Sequence, residues 1–160
     1  MFSRRGAARS LLVPFLLVAS ALGALSERAE DTNRDGIPDT WIEEEDGSVV
    51  SLATDRNFDG TADSRTRYDA DGRLQLQELD FDFDGQMDDF YHYEEGVLTR
   101  QEIDSNFDGA VDLWVYLADG LYIAGYQQDT DFDGIPDRER DFGGSAGVAR
   151  QARGAANAAN

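Results

Sequence analysis

A hard divalent cation takes six to eight oxygen ligands at roughly 2.3–2.6 Å, and short Asp and Asn side chains at alternate positions of a tight loop can supply them. This chain carries such a pattern five times: D-T-N-R-D-G-I-P-D at 31–39, D-R-N-F-D-G-T-A-D at 55–63, D-F-D-F-D-G-Q-M-D at 80–88, D-S-N-F-D-G-A-V-D at 104–112 and D-T-D-F-D-G-I-P-D at 129–137. The starts lie 24, 25, 24 and 25 residues apart, so the chain is a repeat protein whose unit centres on this loop. Positions 1, 3, 5 and 9 are Asp31, Asn33, Asp35 and Asp39 in the first copy, then Asp55, Asn57, Asp59 and Asp63. The later copies place Asp80, Asp82, Asp84 and Asp88, then Asp104, Asn106, Asp108 and Asp112, then Asp129, Asp131, Asp133 and Asp137. Of these 20 side chains 17 are Asp, so each loop crowds three or four carboxylates that repel unless a cation joins them. Position 6 is Gly throughout, where the chain must turn sharply and a residue without Cβ does so at no steric cost. A solvated acidic turn needs neither the invariant Gly nor the fixed register. Calcium is the expected ion, about five per chain. Mg2+ demands near-ideal octahedral geometry and keeps its waters. Soft and borderline metals are disfavoured, because the chain has no Cys and one His.

The loops resemble the D-x-[DN]-x-D-G calcium motif shared by EF-hands, dockerins, integrin-type β-loops and thrombospondin type 3 repeats. That resemblance implies a further ligand, the backbone carbonyl of position 7: Ile37, Thr61, Gln86, Ala110 and Ile135. An EF-hand would also need a Glu at position 12 and flanking helices. Position 12 here is Ile42, Thr66, Tyr91, Val115 and Arg140, which sets both the EF-hand and the dockerin aside. The last ligand is instead the Asp at position 9, similar to calcium loops set between β-strands. The D-G-I-P-D ends of the first and fifth copies look most like thrombospondin type 3 repeats of bacterial secreted proteins. That family packs its loops nearly head to tail and often adds Cys. This chain inserts about 15 residues between loops and has no Cys, so the resemblance covers the loops alone, 45 of 160 residues.

Two strand-like runs joined by a Gly turn fill each spacer. T-W-I-E-E-E turns at Asp46-Gly47, S-R-T-R-Y-D at Ala70-Asp71-Gly72, D-F-Y-H-Y-E at Glu95-Gly96 and L-W-V-Y-L-A at Asp119-Gly120. Asp-Gly between runs rich in Val, Thr, Tyr, Phe and Trp signals a hairpin. The expected fold is all-β: an antiparallel meander of about eight strands, four hairpin repeats of 24–25 residues punctuated by five calcium loops. Of the two longer units, the second has its extra residue before Gly72 and the fourth in its returning strand, where Gly125 suggests a bulge. The repeating aromatics, including Phe58, Phe83, Phe107 and Phe132 at loop position 4, are expected to form the core.

Residues 1–21 read as a signal peptide: Arg4, Arg5 and Arg9, then the apolar Leu11 to Leu25, with Ala19-Ser20-Ala21 as a small-residue cleavage site. A short linker at 22–30, the repeat domain at 31–141 and a small, polar, disordered tail at 142–160 complete the expected layout. Secretion, the periplasm or the cell surface is the expected location. Cleavage after Ala21 leaves 33 acidic and 11 basic residues, a net charge of −22, which repels nucleic acid and anionic membrane. With no disulfide, an exported domain of this size needs another staple, and metal is one. The reading that follows is an exported structural or adhesion-type repeat module whose partners are calcium ions and a cell-surface or matrix component. Alternatives are a shell or scaffold fragment related to tyrosine–aspartate repeat proteins, on the resemblance of Tyr68-Asp69-Ala70-Asp71-Gly72-Arg73-Leu74 to their unit, or a calcium-stabilised accessory domain of a secreted enzyme. No catalytic residue is expected. There is no Cys nucleophile and no nucleophile-elbow Ser, and the single His92 sits mid-strand in F-Y-H-Y.

Overall fold

The computed structural model describes residues 24–143. The expected signal peptide at 1–21 and nearly all of the expected tail lie outside the described residues. Ten strands run in sequence order: β1 Leu25–Glu30, β2 Thr40–Glu45, β3 Ser48–Thr54, β4 Ser64–Tyr68, β5 Leu74–Leu79, β6 Asp89–Glu94, β7 Val97–Ile103, β8 Leu113–Ala118, β9 Tyr122–Gln128 and β10 Arg138–Asp141. They form one antiparallel sheet in which every strand pairs with its sequence neighbours. The all-β meander is as expected, with ten strands in place of eight. The two extra strands flank the terminal loops. β1 occupies most of the stretch 22–30 expected to be linker, because a loop closed at one end of a strand pair needs a strand on each side.

Short connections alternate along the two long edges. Asp46-Gly47 and Glu95-Gly96 join paired strands through two residues, all four with positive φ of 52–81°. That is a type I′ hairpin, whose twist matches the strands and for which Asp-Gly is a favoured sequence. Every hairpin then carries a bulge at the same depth. Register slips leave Val50, Gln75, Thr99 and Ala124 without a partner on the preceding strand. The bulge expected near Gly125 therefore belongs to the repeat and not to the longer fourth unit. That unit's extra residue, Leu121, widens the turn to 119–121 instead.

Among the described residues a single layer makes up the whole fold. Tyr116 and Ala124 are the only buried hydrophobic residues, whereas ten acidic residues are buried. Trp41, Phe90 and Trp114 are half-buried on one face. On the same face the His92 imidazole meets Glu102 at 3.0 Å and the Arg100 guanidinium reaches it at 3.2 Å. The His92 hydrogen bond, with Arg100 beside it, holds the Glu102 carboxyl below its usual range against the opposing pull of burial. On the opposite face buried Asp89 accepts from Gln101 Nε2 at 2.8 Å and from the Tyr91 hydroxyl at 2.8 Å. Burial and the Asp89 carboxylate push the Tyr91 phenol up to about 12.

Gly125 lies where β8, β9 and β10 meet, opposite Tyr116 and Asp141. A Cβ there would stand 2.8 Å from the Arg140 carbonyl oxygen, closer than side chains tolerate. Gly125→Ala is expected to pry β10 from β9 at a cost of about 1–3 kcal/mol. Hydrogen exchange checks this: the β10 amides should lose protection while those of β2 to β7 keep theirs.

Candidate metal centres

All five loops hang from one edge of the sheet, each between an incoming and an outgoing strand, and a common set of hydrogen bonds folds them. The position 1 carboxylate accepts from the amides of positions 4 and 6. In the third loop Phe83 N to Asp80 Oδ1 is 2.7 Å and Gly85 N to Asp80 Oδ2 is 2.9 Å, and the other four loops repeat the pair. The position 9 carboxylate accepts the position 2 amide in every loop, at 2.6–3.1 Å. Position 5 caps the position 7 amide in every loop, at 2.8–3.0 Å. Such Asx contacts make Asp and Asn the fitting residues at these places.

The backbone must turn left-handed twice to allow this, at position 6 and also at position 4. Gly takes position 6 with φ of 87–96°. Position 4 is Arg34 or Phe, with φ of 59–66°, a region that costs an L-residue roughly 1–2 kcal/mol. That turn swings the side chain outward. Phe58, Phe83, Phe107 and Phe132 are 43–52% exposed, so the expectation that they form the core is overturned.

Neighbouring loops are bonded to each other. The amide at position 1 of each later loop donates to the position 9 carbonyl of the loop before it: Asp55 to Asp39, Asp80 to Asp63, Asp104 to Asp88 and Asp129 to Asp112, at 2.7–2.8 Å. Positions 1 and 9 are buried on both sides of each junction. Asp39, Asp55, Asp63, Asp80, Asp88, Asp104, Asp112 and Asp129 are all at most 3% exposed. At the ends of the array, where a neighbour is missing, Asp31 is half-buried and Asp137 exposed. Positions 3, 5 and 7 face outward in every loop.

Two groups bring three carboxylate oxygens within 4.8 Å of one another: Asp80, Asp82 and Asp88 in the third loop, and Asp129, Asp131 and Asp133 in the fifth. These could hold a metal ion. In the other three loops position 3 is Asn, and its amide donates to the position 5 carboxylate at 2.9–3.0 Å (Asn33 to Asp35, Asn57 to Asp59, Asn106 to Asp108). Electrostatics follow the same division only in part: in the fifth loop, against the opposing pull of burial, the Gly134 and Phe132 amides hold the Asp129 carboxyl below its usual range. The Asp133 carboxylate beside it, together with burial, raises the Asp131 carboxyl, and burial raises Asp88 despite two amide donors. The Asn57 amide lowers Asp59.

Sequence reasoning missed position 2. Thr32, Ser105 and Thr130 each place a hydroxyl 2.7–2.9 Å from the position 9 carboxylate of their own loop. The signal was present, since a hydroxyl residue stands there in three copies of five. The second loop has Arg56 there, and its buried Asp63 Oδ1 has no hydrogen-bond partner. The other oxygen of that carboxylate accepts the Arg56 and Asn57 amides, which turns the group into its own loop.

No family model matches this chain, and no curated protein does. A solved structure described as accessory secretory protein 1, 2 and 3 in Streptococcus pneumoniae is similar over 57% of this chain, at 17% identity and a TM-score of 0.43. The match spans 17% of that protein's own chain.

Proposed function

We propose that this chain is an exported calcium-binding repeat module, folded and stiffened by about five Ca2+ ions and serving as a structural or adhesion-type spacer. One observation carries the reading. Eight loop carboxylates are buried, and among the described residues no Arg or His side chain lies within ion-pair distance of any of them. A buried charge without a partner is costly, so burial of this kind needs a counter-cation. The unpartnered Asp63 Oδ1 fits the same need.

The donor set selects the ion. Carboxylates and amides at positions 1, 3, 5 and 9 and the position 7 carbonyl are hard oxygen ligands on an irregular loop, which suits the flexible shell of Ca2+ better than the strict octahedron of Mg2+. Calcium would supply charge and a fixed centre for each corner of the sheet, and the chain's own residues do the rest by holding those corners in register. The apolar run at 11–25 behind three arginines supports export, where millimolar calcium matches the roughly 10⁻⁴–10⁻³ M affinity of extracellular modules. The Phe row and the half-buried faces are surfaces for a cell-surface or matrix partner. Calorimetry with CaCl2 is expected to give a stoichiometry near five, with Mg2+ at the same concentration giving little heat. A flat calcium isotherm sinks the proposal.

A further inference from the structure

The loops are not equivalent, and the difference lies in their junctions. At each of the four junctions the position 9 carbonyl accepts from the position 1 amide of the next loop at 2.7–2.8 Å, and both residues are at most 3% exposed. Loops 55–63, 80–88 and 104–112 have both of these residues buried, whereas loops 31–39 and 129–137 each have one. Contacts between outer positions carry the same coupling. A Cβ on Gly109 would stand 2.7 Å from Gln86 Oε1, and one on Gly85 3.7 Å from the Thr61 methyl, so in the third and fourth loops position 6 sits on position 7 of the loop before. Arg56 of the second loop lays its guanidinium 5.2 Å from the Phe83 ring of the third. Asp63 Oδ1, buried at one junction and without a partner, marks where a cation's charge is wanted.

We infer that calcium ions load this array cooperatively from its interior, the loops 55–63, 80–88 and 104–112 binding more tightly than the terminal loops 31–39 and 129–137. The inference rests on the calcium reading and adds its regulation. Within an empty loop the crowded carboxylates repel one another, and the buried members are shielded by little water. Filling one loop removes that repulsion and orders the backbone bond it shares with its neighbour, so the next ion binds to a loop already held. Each loop retains net negative charge after one Ca2+, because it carries three or four carboxylates, so a filled neighbour does not repel the next ion outright. At the ends the outer carboxylate is open to water, which lowers the cost of leaving the site without an ion. The physical consequence is a threshold: the sheet would stiffen over a narrow span of calcium concentration.

The test is a calcium titration of the full chain by calorimetry and far-UV circular dichroism, for the wild type and two variants at exposed position 5, Asp84→Asn in the middle loop and Asp133→Asn in the last. The wild-type dichroism curve should have a Hill slope above 1. Asp84→Asn should weaken the remaining sites about fivefold and flatten the slope, since it severs the array, whereas Asp133→Asn should weaken its own loop and, through their one shared junction, loop 104–112, and leave the slope above 1. Wild-type binding with normal stoichiometry, a slope of 1 and two variants that each lose only their own site would overturn the coupling while sparing the calcium reading. A wild type that takes up no calcium overturns both. Should Asp84→Asn fail to fold, the wild-type slope and the Asp133→Asn isotherm still decide.

Discussion

Excess chelator is expected to remove most of the β-sheet signal from this protein, and calcium at a few millimolar to restore it. Ordinary domains survive such treatment because apolar burial holds them. Here Tyr116 and Ala124 are, among the described residues, the only fully buried hydrophobic ones, and both faces of a single sheet remain in contact with water. Backbone ladders alone do not offset the conformational entropy of about 120 ordered residues. Against the fold stand eight buried loop carboxylates. The ions change this balance. At free calcium tenfold above Kd each site adds about 1.4 kcal/mol, so five add about 7 kcal/mol. That is comparable with the whole net stability of a typical domain, about 5–15 kcal/mol. Circular dichroism in chelator and in calcium, followed by thermal melts in each, measures the effect directly. Identical spectra and melting temperatures would show that the edge holds its shape without metal and that the loops are ornaments on an independently stable sheet.

Much of this architecture was legible because the sequence repeats. Five copies of one register fixed the loops, and the Gly turns halfway between fixed the hairpins, so strand order followed from chain order. What stayed hidden depends on neighbours in space. Phe58 and its equivalents read as core because aromatics usually are, and only the left-handed backbone at position 4 reveals that they point outward. The strand β1 has no alternating apolar pattern in L-S-E-R-A-E, since all six of its residues are exposed, and it forms because β2 needs an edge partner. The bulges at Val50, Gln75, Thr99 and Ala124 carry no shared residue type, so periodicity alone could not show them. Within the site, the motif gave the same weight to Asp39 and Asp137, and nothing in it told the buried member from the exposed one. That distinction arises from the stacking of loops, a property of the array and not of the unit.

The same distinction yields the second large effect. Asp80→Ala is expected to destabilise the calcium-loaded protein by about 4 kcal/mol, and Asp137→Ala by about 1 kcal/mol, although both remove one carboxylate of one motif. Asp80 is wholly buried, and its two oxygens hold the Phe83 and Gly85 amides at 2.7 and 2.9 Å. Its amide is bonded to Asp63 and its carbonyl takes the Arg56 guanidinium. Truncation leaves two partly buried amides unpaired, each costing about 1–3 kcal/mol, and leaves the left-handed Phe83 without the contact that holds it there. A calcium site is lost as well. Asp137 keeps its carboxylate in water, bonded to the Thr130 amide and hydroxyl, and no loop follows to bury it. Water replaces those contacts when it is removed. Urea denaturation at saturating calcium, with melts as a second readout, separates the two variants. Equal losses would mean that burial at the junctions contributes nothing and that each loop stands alone. A gap of a few kcal/mol would mean that the motif's strength is set by its place in the row, so that lengthening the array strengthens its interior loops more than its ends.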